Sequence, residues 1–150
     1  MRVRALAILI ENDTIALIER HRAGRHYFTF PGGGVDGGET VEQAAVREME
    51  EETGLKVRVL RKVAEIWFHG NRQEYFLVGR IDGAFGTGTG EEYHRKPPDE
   101  PRYGTYHPMW MPISELSDHP VLPTEMAGLV FRYARGGWPE DPFVIREEDA

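Results

Sequence analysis

The chain contains no cysteine among its 150 residues. A disulfide framework, a thiolate nucleophile and a cysteine-ligated zinc site are therefore excluded. Long apolar runs are also missing: the longest, residues 5–10, falls far short of the roughly 20 residues that a membrane-spanning helix needs. Arg2 and Arg4 open the chain, but no signal-peptide core or small-residue cleavage site follows, so the expected location is the cytoplasm. Positive charge is in short supply. Eighteen Lys and Arg face 25 Asp and Glu, for a net charge of −7. This argues against a nucleic-acid partner, because such surfaces neutralise phosphates with a basic surplus. It leaves open a nucleotide substrate whose charge is carried by bound metal.

The length fits a single domain over 1–150, and 40% hydrophobic residues supply one packed core. Residues 3–10 are largely aliphatic, Glu11-Asn12-Asp13 reads as a tight turn, and 15–18 resumes the apolar pattern, which together predict a β-hairpin. The stretch 20–26 reads as a basic loop and 27–30 as a short aromatic strand. Thr40 with Gln43 fits a capping box and Gly54 the residue just past a helix end, so a helix is expected between them. Strands are expected at 57–64, 66–68, 74–81 and 105–113, and a second helix at 123–135. Residues 82–104, rich in Gly, Pro and charge, read as a long loop of the kind that is often functional. The tail from 138 reads as peripheral. Strands mixed with two helices suggest a mixed sheet flanked by helices.

The most informative stretch is 33–55, GGVDGGETVEQAAVREMEEETGL. It sets Glu48, Glu51 and Glu52 on one helix at i, i+3 and i+4. On a helical wheel Ala45, Val46 and Met49 form the apolar sector, with Glu48 and Glu52 beside it and Glu50 on the far side. A run of acids is ordinarily a solvated face. Here like charges repel at helical spacing and crowd the end of the helix whose dipole disfavours anions. A bound divalent cation would compensate both. Arg47, one turn before Glu51, can orient that carboxylate. The preceding Pro31-Gly32-Gly33-Gly34 turn lets backbone approach a ligand, and a carbonyl there can serve as a hard oxygen donor.

These residues resemble the Nudix box: Gly33, Glu39, Arg47, Glu48, Met49, Glu51, Glu52, Gly54 and Leu55 meet it at all nine specified positions. Phe28, Phe30, Pro31 and Gly32 are similar to the usual approach to that box. The resemblance implies an α/β Nudix fold, an α/β/α sandwich around a central mixed β-sheet. It implies Mg²⁺-dependent, or Mn²⁺-dependent, hydrolysis of the pyrophosphate linkage of a nucleoside diphosphate joined to another group X. By position Glu51 and Glu52 resemble the main metal ligands, Glu48 a ligand or general base, the Gly32 carbonyl a further ligand, and Arg47 the residue that holds the carboxylates. Glu39 resembles a largely structural tie between loop and helix. The base can also lie outside the box, and Glu91 and Glu92 in the long loop are candidates, ahead of Asp99 and Glu100. The resemblance further allows a homodimer.

For the substrate, Arg20, Arg22 and Arg25 are candidates to meet phosphate oxygens. Gly33 is expected close to the substrate, and Tyr27 or Phe28 could stack on a base, although strand aromatics usually pack inward. His69 and His107 show no metal-ligand spacing. The ADP-ribose proline after the box, the NADH signature and the coenzyme A signature are absent or incomplete. Isopentenyl diphosphate isomerase chemistry is disfavoured by the lack of cysteine. A non-catalytic nucleotide-binding module is the alternative, although such modules usually lose box glutamates.

Overall fold

The computed structural model describes residues 1–90 and 104–146. β1 (Arg2–Ile8), β2 (Ile10–Glu11) and β3 (Thr14–Arg22) form the expected start, with Asn12 and Asp13 both at positive φ in the turn. β3 runs on past residue 18. The segment expected as a basic loop is instead a hairpin tip, because Ala23 and Gly24 both adopt positive φ and β4 (Arg25–Thr29) returns antiparallel. That pair of conformations matches the twist of antiparallel strands, and the arginines had hidden it behind their charge.

β5 (Gly32–Gly34) pairs antiparallel with β1 and leads into α1 (Val41–Thr53). Thr40 and Gln43 form the reciprocal capping box, and Gly54 closes the helix at φ 84°. β6 (Leu55–Phe68) and β7 (Asn71–Gly83) make one long hairpin, not three shorter strands. Register shifts at Lys56/Val57, Val59/Arg61 and Lys62/Ala64 break the alternation that would have revealed a continuous strand. The chain resumes in β8 (Thr105–Pro112), a 3-10 helix (Ile113–Asp118), β9 (Val121–Leu122) and α2 (Thr124–Tyr133).

The tail is not wholly peripheral. β10 (Phe143–Arg146) pairs parallel with β6, while Trp138, Phe143 and Ile145 pack against the core. The strands form two sheets of five, ordered β10-β6-β7-β1-β5 and β2-β3-β4-β9 with β8 on β3. The first is mixed, since β1 and β7 run parallel while β6 and β7 run antiparallel.

One apolar cluster joins α1 to the strands through Ala44, Ala45 and Met49 against Ala5, Ala7, Leu9, Ala16 and Phe76. The alanines of β1 and α1 let helix and sheet approach closely, and burying Met49 contributes roughly 1.5–3 kcal/mol. A second cluster gathers Leu17, Phe28, Phe30, Tyr75 and Val121 with Met126 and Val130 of α2. The α/β/α layering is thus present. No helix among the described residues is long and apolar enough to cross a membrane.

Candidate active site

Arg47 organises the end of α1. Its Nε and Nη2 hold Glu39 at 3.1 and 2.8 Å, Nη1 reaches Glu48 at 2.9 Å and Glu51 at 3.0 Å, and Nη2 also donates to the Gly34 carbonyl at 3.0 Å. Asp36 adds an ion pair at 3.4 Å. Glu39 in turn accepts the Asp36 N–H at 2.8 Å, so it ties the Gly-rich turn to the helix as expected. Its hydrogen bonds with Arg47, and then with the Asp36 N–H, hold the Glu39 carboxyl below the usual carboxylate range. Hydrogen bonding to Glu39 raises the Arg47 guanidinium, against the opposing effect of partial burial.

The Gly-rich turn fits the carboxylates closely. The Gly32 N–H donates to Glu52 Oε2 at 3.1 Å. A Cβ on Gly33 would lie 2.6 Å from the Glu48 carboxylate, so only glycine leaves this space open. Beyond the helix, the described part of the long loop caps its last carbonyls: the Gly86 N–H bonds Thr53 O and the Gly90 N–H bonds Glu51 O, both at 2.8 Å. A Cβ on Gly88 would meet Glu51 O at 2.4 Å.

Glu48 and Glu52 open onto a cleft of about 760 Å³ that also contains Gly32, Gly33, Arg2, Arg4 and Arg20. Phe30, Phe68, Tyr75 and Tyr106 supply aromatic lining, and Thr124 and Glu125 of α2 border the same space. Arg20 is 8% exposed, bonds Thr105 O through Nε at 2.9 Å, and lies 3.7 Å from the Tyr106 ring centroid. Its position is therefore fixed before any ligand arrives. Burial pushes the Tyr75 hydroxyl well above its ordinary range, so it stays protonated and a donor; it donates to Gln73 Oε1 at 2.6 Å.

The cleft thus brings together Glu48, Glu52, Gly32, Gly33 and Arg20 from the expected set. Glu51 does not line the cleft: its side chain is 39% exposed and bonded to Arg47. One substrate expectation is corrected. Phe28 is 3% exposed in the core, where the register sets it opposite Glu19 and its ring packs on His119 at 5.5 Å. Arg25 sits at the hairpin tip over Tyr27, the ring that also meets Arg20, and does not itself line the cleft. Glu91, Glu92, Asp99 and Glu100 lie outside the described residues. Arg2 and Arg4 were missed, yet the alternation Arg2, Arg4, Leu6 along β1 marks one face of the strand.

A family model described as NUDIX domain matches residues 1–132. An RNA pyrophosphohydrolase from Tolumonas auensis is 31% identical, over 74% of this chain and 73% of that protein. Further proteins of that description align over 51 to 59 residues, about a third of their length. Among solved structures, an ADP-ribose pyrophosphatase from Streptococcus suis matches with TM-score 0.67 and 19% identity over 97% of this chain and 98% of the other. A NUDIX hydrolase from Nitrosomonas europaea matches with TM-score 0.70 and 17% identity over 97% and 79%. Likeness at such identities carries the fold alone.

Proposed function

The chain belongs to the Nudix hydrolase family, and we propose that it cleaves the pyrophosphate linkage of a nucleoside diphosphate joined to a further group, with magnesium as cofactor. The observation that carries this reading is the fit of the glycine turn to the glutamates: Gly33 keeps its Cβ out of the space against Glu48, and Gly32 fixes one oxygen of Glu52, both at the cleft.

The donor set suits a hard divalent cation, since Glu48, Glu51, Glu52 and the Gly32 carbonyl offer oxygen alone. Manganese accepts the same donors. Bound there, the ion would neutralise phosphate oxygens and lower the pKa of an attacking water. Arg47 keeps Glu48 and Glu51 oriented. Arg2, Arg4 and Arg20 share the cleft and meet the remaining phosphate charge. Tyr106, stacked on Arg20, lines the same cleft where a base or sugar would sit. The proton is taken by a carboxylate. Glu48 stands at the cleft, and Glu91 and Glu92 are the further candidates. Single Gln variants at these three positions separate them: loss of the base removes the acidic limb of the pH–rate profile. A cytoplasmic location and a homodimer belong to the same proposal.

A second reading has its own support. The relative matched over most of its length is named for RNA, so the substrate would be the triphosphorylated 5′ end of an RNA, with the cleft taking the terminal nucleotide. One screen tests both. Wild type and Glu52→Gln are incubated with magnesium and nucleoside triphosphates, nucleotide sugars, ADP-ribose, dinucleoside polyphosphates and a 5′-triphosphorylated oligoribonucleotide. Turnover by wild type and its loss in Glu52→Gln are expected. Full turnover by Glu52→Gln refutes the metal role. Silence across the panel, with ligand binding retained, favours a non-catalytic nucleotide-binding module.

A further inference from the structure

The β3–β4 hairpin carries a second cluster of metal-ligating groups. Its two-residue turn makes Arg22 and Arg25 the hydrogen-bonded pair beside the turn, and His21 and His26 the next pair. That next pair is non-hydrogen-bonded, the position where cross-strand side chains come closest. The imidazole rings stack accordingly, 4.2 Å apart and 5° from parallel. Glu19, two residues before His21, projects from the same face. Its Oε2 lies 2.7 Å from His26 Nε2 and 3.8 Å from His21 Nε2. Glu19, His21 and His26 each place a ligand atom within 4.8 Å of the other two.

We propose that Glu19, His21 and His26 form a metal site for a divalent transition ion of the zinc type. Ligands bound at about 2.0–2.1 Å to a tetrahedral ion stand roughly 3.3 Å apart, and the two imidazole–carboxylate separations bracket that spacing. The donor chemistry differs from that of the glutamate site. Two imidazoles and one carboxylate suit zinc, nickel or copper, whereas magnesium prefers oxygen throughout. The rings are held in advance, since His26 also packs on the core residue Phe28 with centroids 5.2 Å apart. Arg22 and Arg25 leave the strands on the opposite face, and both also border the hollow beside the histidines, where they would favour an anion. Both histidine side chains are about half exposed, at 58% and 49%, and border a cavity of about 430 Å³ that leaves room for a water or an anion as fourth ligand.

The test is a zinc titration of the chelator-treated full chain by calorimetry, in excess magnesium to occupy the glutamate site. Wild type and Glu52→Gln are each expected to take up one equivalent of zinc with the same affinity. His26→Ala, His21→Ala and Glu19→Gln should each weaken binding by about 100-fold or more, given that even residues that merely support a ligand cost 10–100-fold. Imidazole nitrogen resonances provide a second readout on the unaltered chain: Nε2 of His21 and His26 should shift together at one equivalent. Zinc affinity unchanged in a folded His21→Ala/His26→Ala chain overturns the proposal, as does failure of wild type to bind. Zinc uptake abolished by Glu52→Gln overturns it too, because the ion would then occupy the glutamates. None of these outcomes depends on nucleotide turnover, so the hydrolase reading and this site stand or fall separately.

Discussion

Replacing Gly33 with alanine isolates the fit between turn and helix. The added Cβ would stand 2.6 Å from Glu48 Cδ and Oε1 and 2.7 Å from Oε2, whereas ordinary contacts begin near 3.4 Å. The carboxylate must therefore retreat by about 0.8 Å. It is also held by Arg47 Nη1 at 2.9 Å, so the retreat disturbs a fixed hydrogen bond. A displacement of about 1 Å at a catalytic group costs roughly 100-fold in rate, or about 2.7 kcal/mol of barrier. The fold should tolerate the change. Gly33 does not occupy the left-handed region, and its obstacle is the far end of a side chain, not backbone. Stability should fall by less than about 1 kcal/mol, seen as a Tm shift below about 4 °C. Steady-state kinetics with magnesium on the substrate found in the screen, beside a thermal melt, checks both halves. A kcat within twofold of wild type would refute the idea that Gly33 exists to clear Glu48. A collapse of Tm would show that the glycine serves the fold instead.

The neighbouring glycine should behave in the opposite way. A Cβ on Gly32 would lie 2.1 Å from Ala5 O and 2.8 Å from Leu6 Cα, so Gly32→Ala must push β5 off β1 and should cost about 3 kcal/mol in denaturant titration. Arg47→Lys keeps the charge but loses the planar fork that engages Glu39 twice. Turnover should fall about 10–100-fold, and stability by about 2 kcal/mol, less than the loss of a fully buried pair because the Arg47 side chain remains 29% exposed. Acid should loosen the same network. The Glu39 carboxyl is lowered from its ordinary 4.5 in the folded state, so its contribution is complete above pH 4.5 and is lost as pH falls through the lower folded value. Acid unfolding followed by circular dichroism should show that slope in wild type and a shallower one in Glu39→Gln.

Much of the site is legible in the sequence because it is local. Thr40 to Gly54 carries its own start and stop signals, and helical spacing alone places Glu52 at the edge of the buried face and Glu50 in solvent. What the sequence could not show is which residues strand pairing brings together. Arg20 acquires its partners Thr105 and Tyr106 from a strand some 85 positions away. Phe28 moves from an expected stacking residue to the core because its register sets it opposite Glu19, under His119. The histidine cluster depends on pairing too, since His21 and His26 meet only once the turn at Ala23 and Gly24 is known.

Repulsion among Glu48, Glu51 and Glu52 does not by itself require a cation. Arg47 already offsets it: it pairs with Asp36, Glu39, Glu48 and Glu51 together. Clustered acids here are therefore weak grounds for a metal, because an ordinary guanidinium can hold them. Steric fit is the stronger ground. A helix that needed only charge balance would gain nothing from a glycine pressed against Glu48, and would lose nothing by placing Glu52 in solvent instead of burying it against the Gly32 N–H. Gly33 keeps clear the room around Glu48 that a metal or phosphate would share. The discriminating measurement is therefore the pairing of Gly33→Ala with Arg47→Lys. If the carboxylates serve only as partners of Arg47, any loss of function in either variant should track its loss of stability. If they serve a ligand in the cleft, both should lose function, and Gly33→Ala should do so without loss of stability.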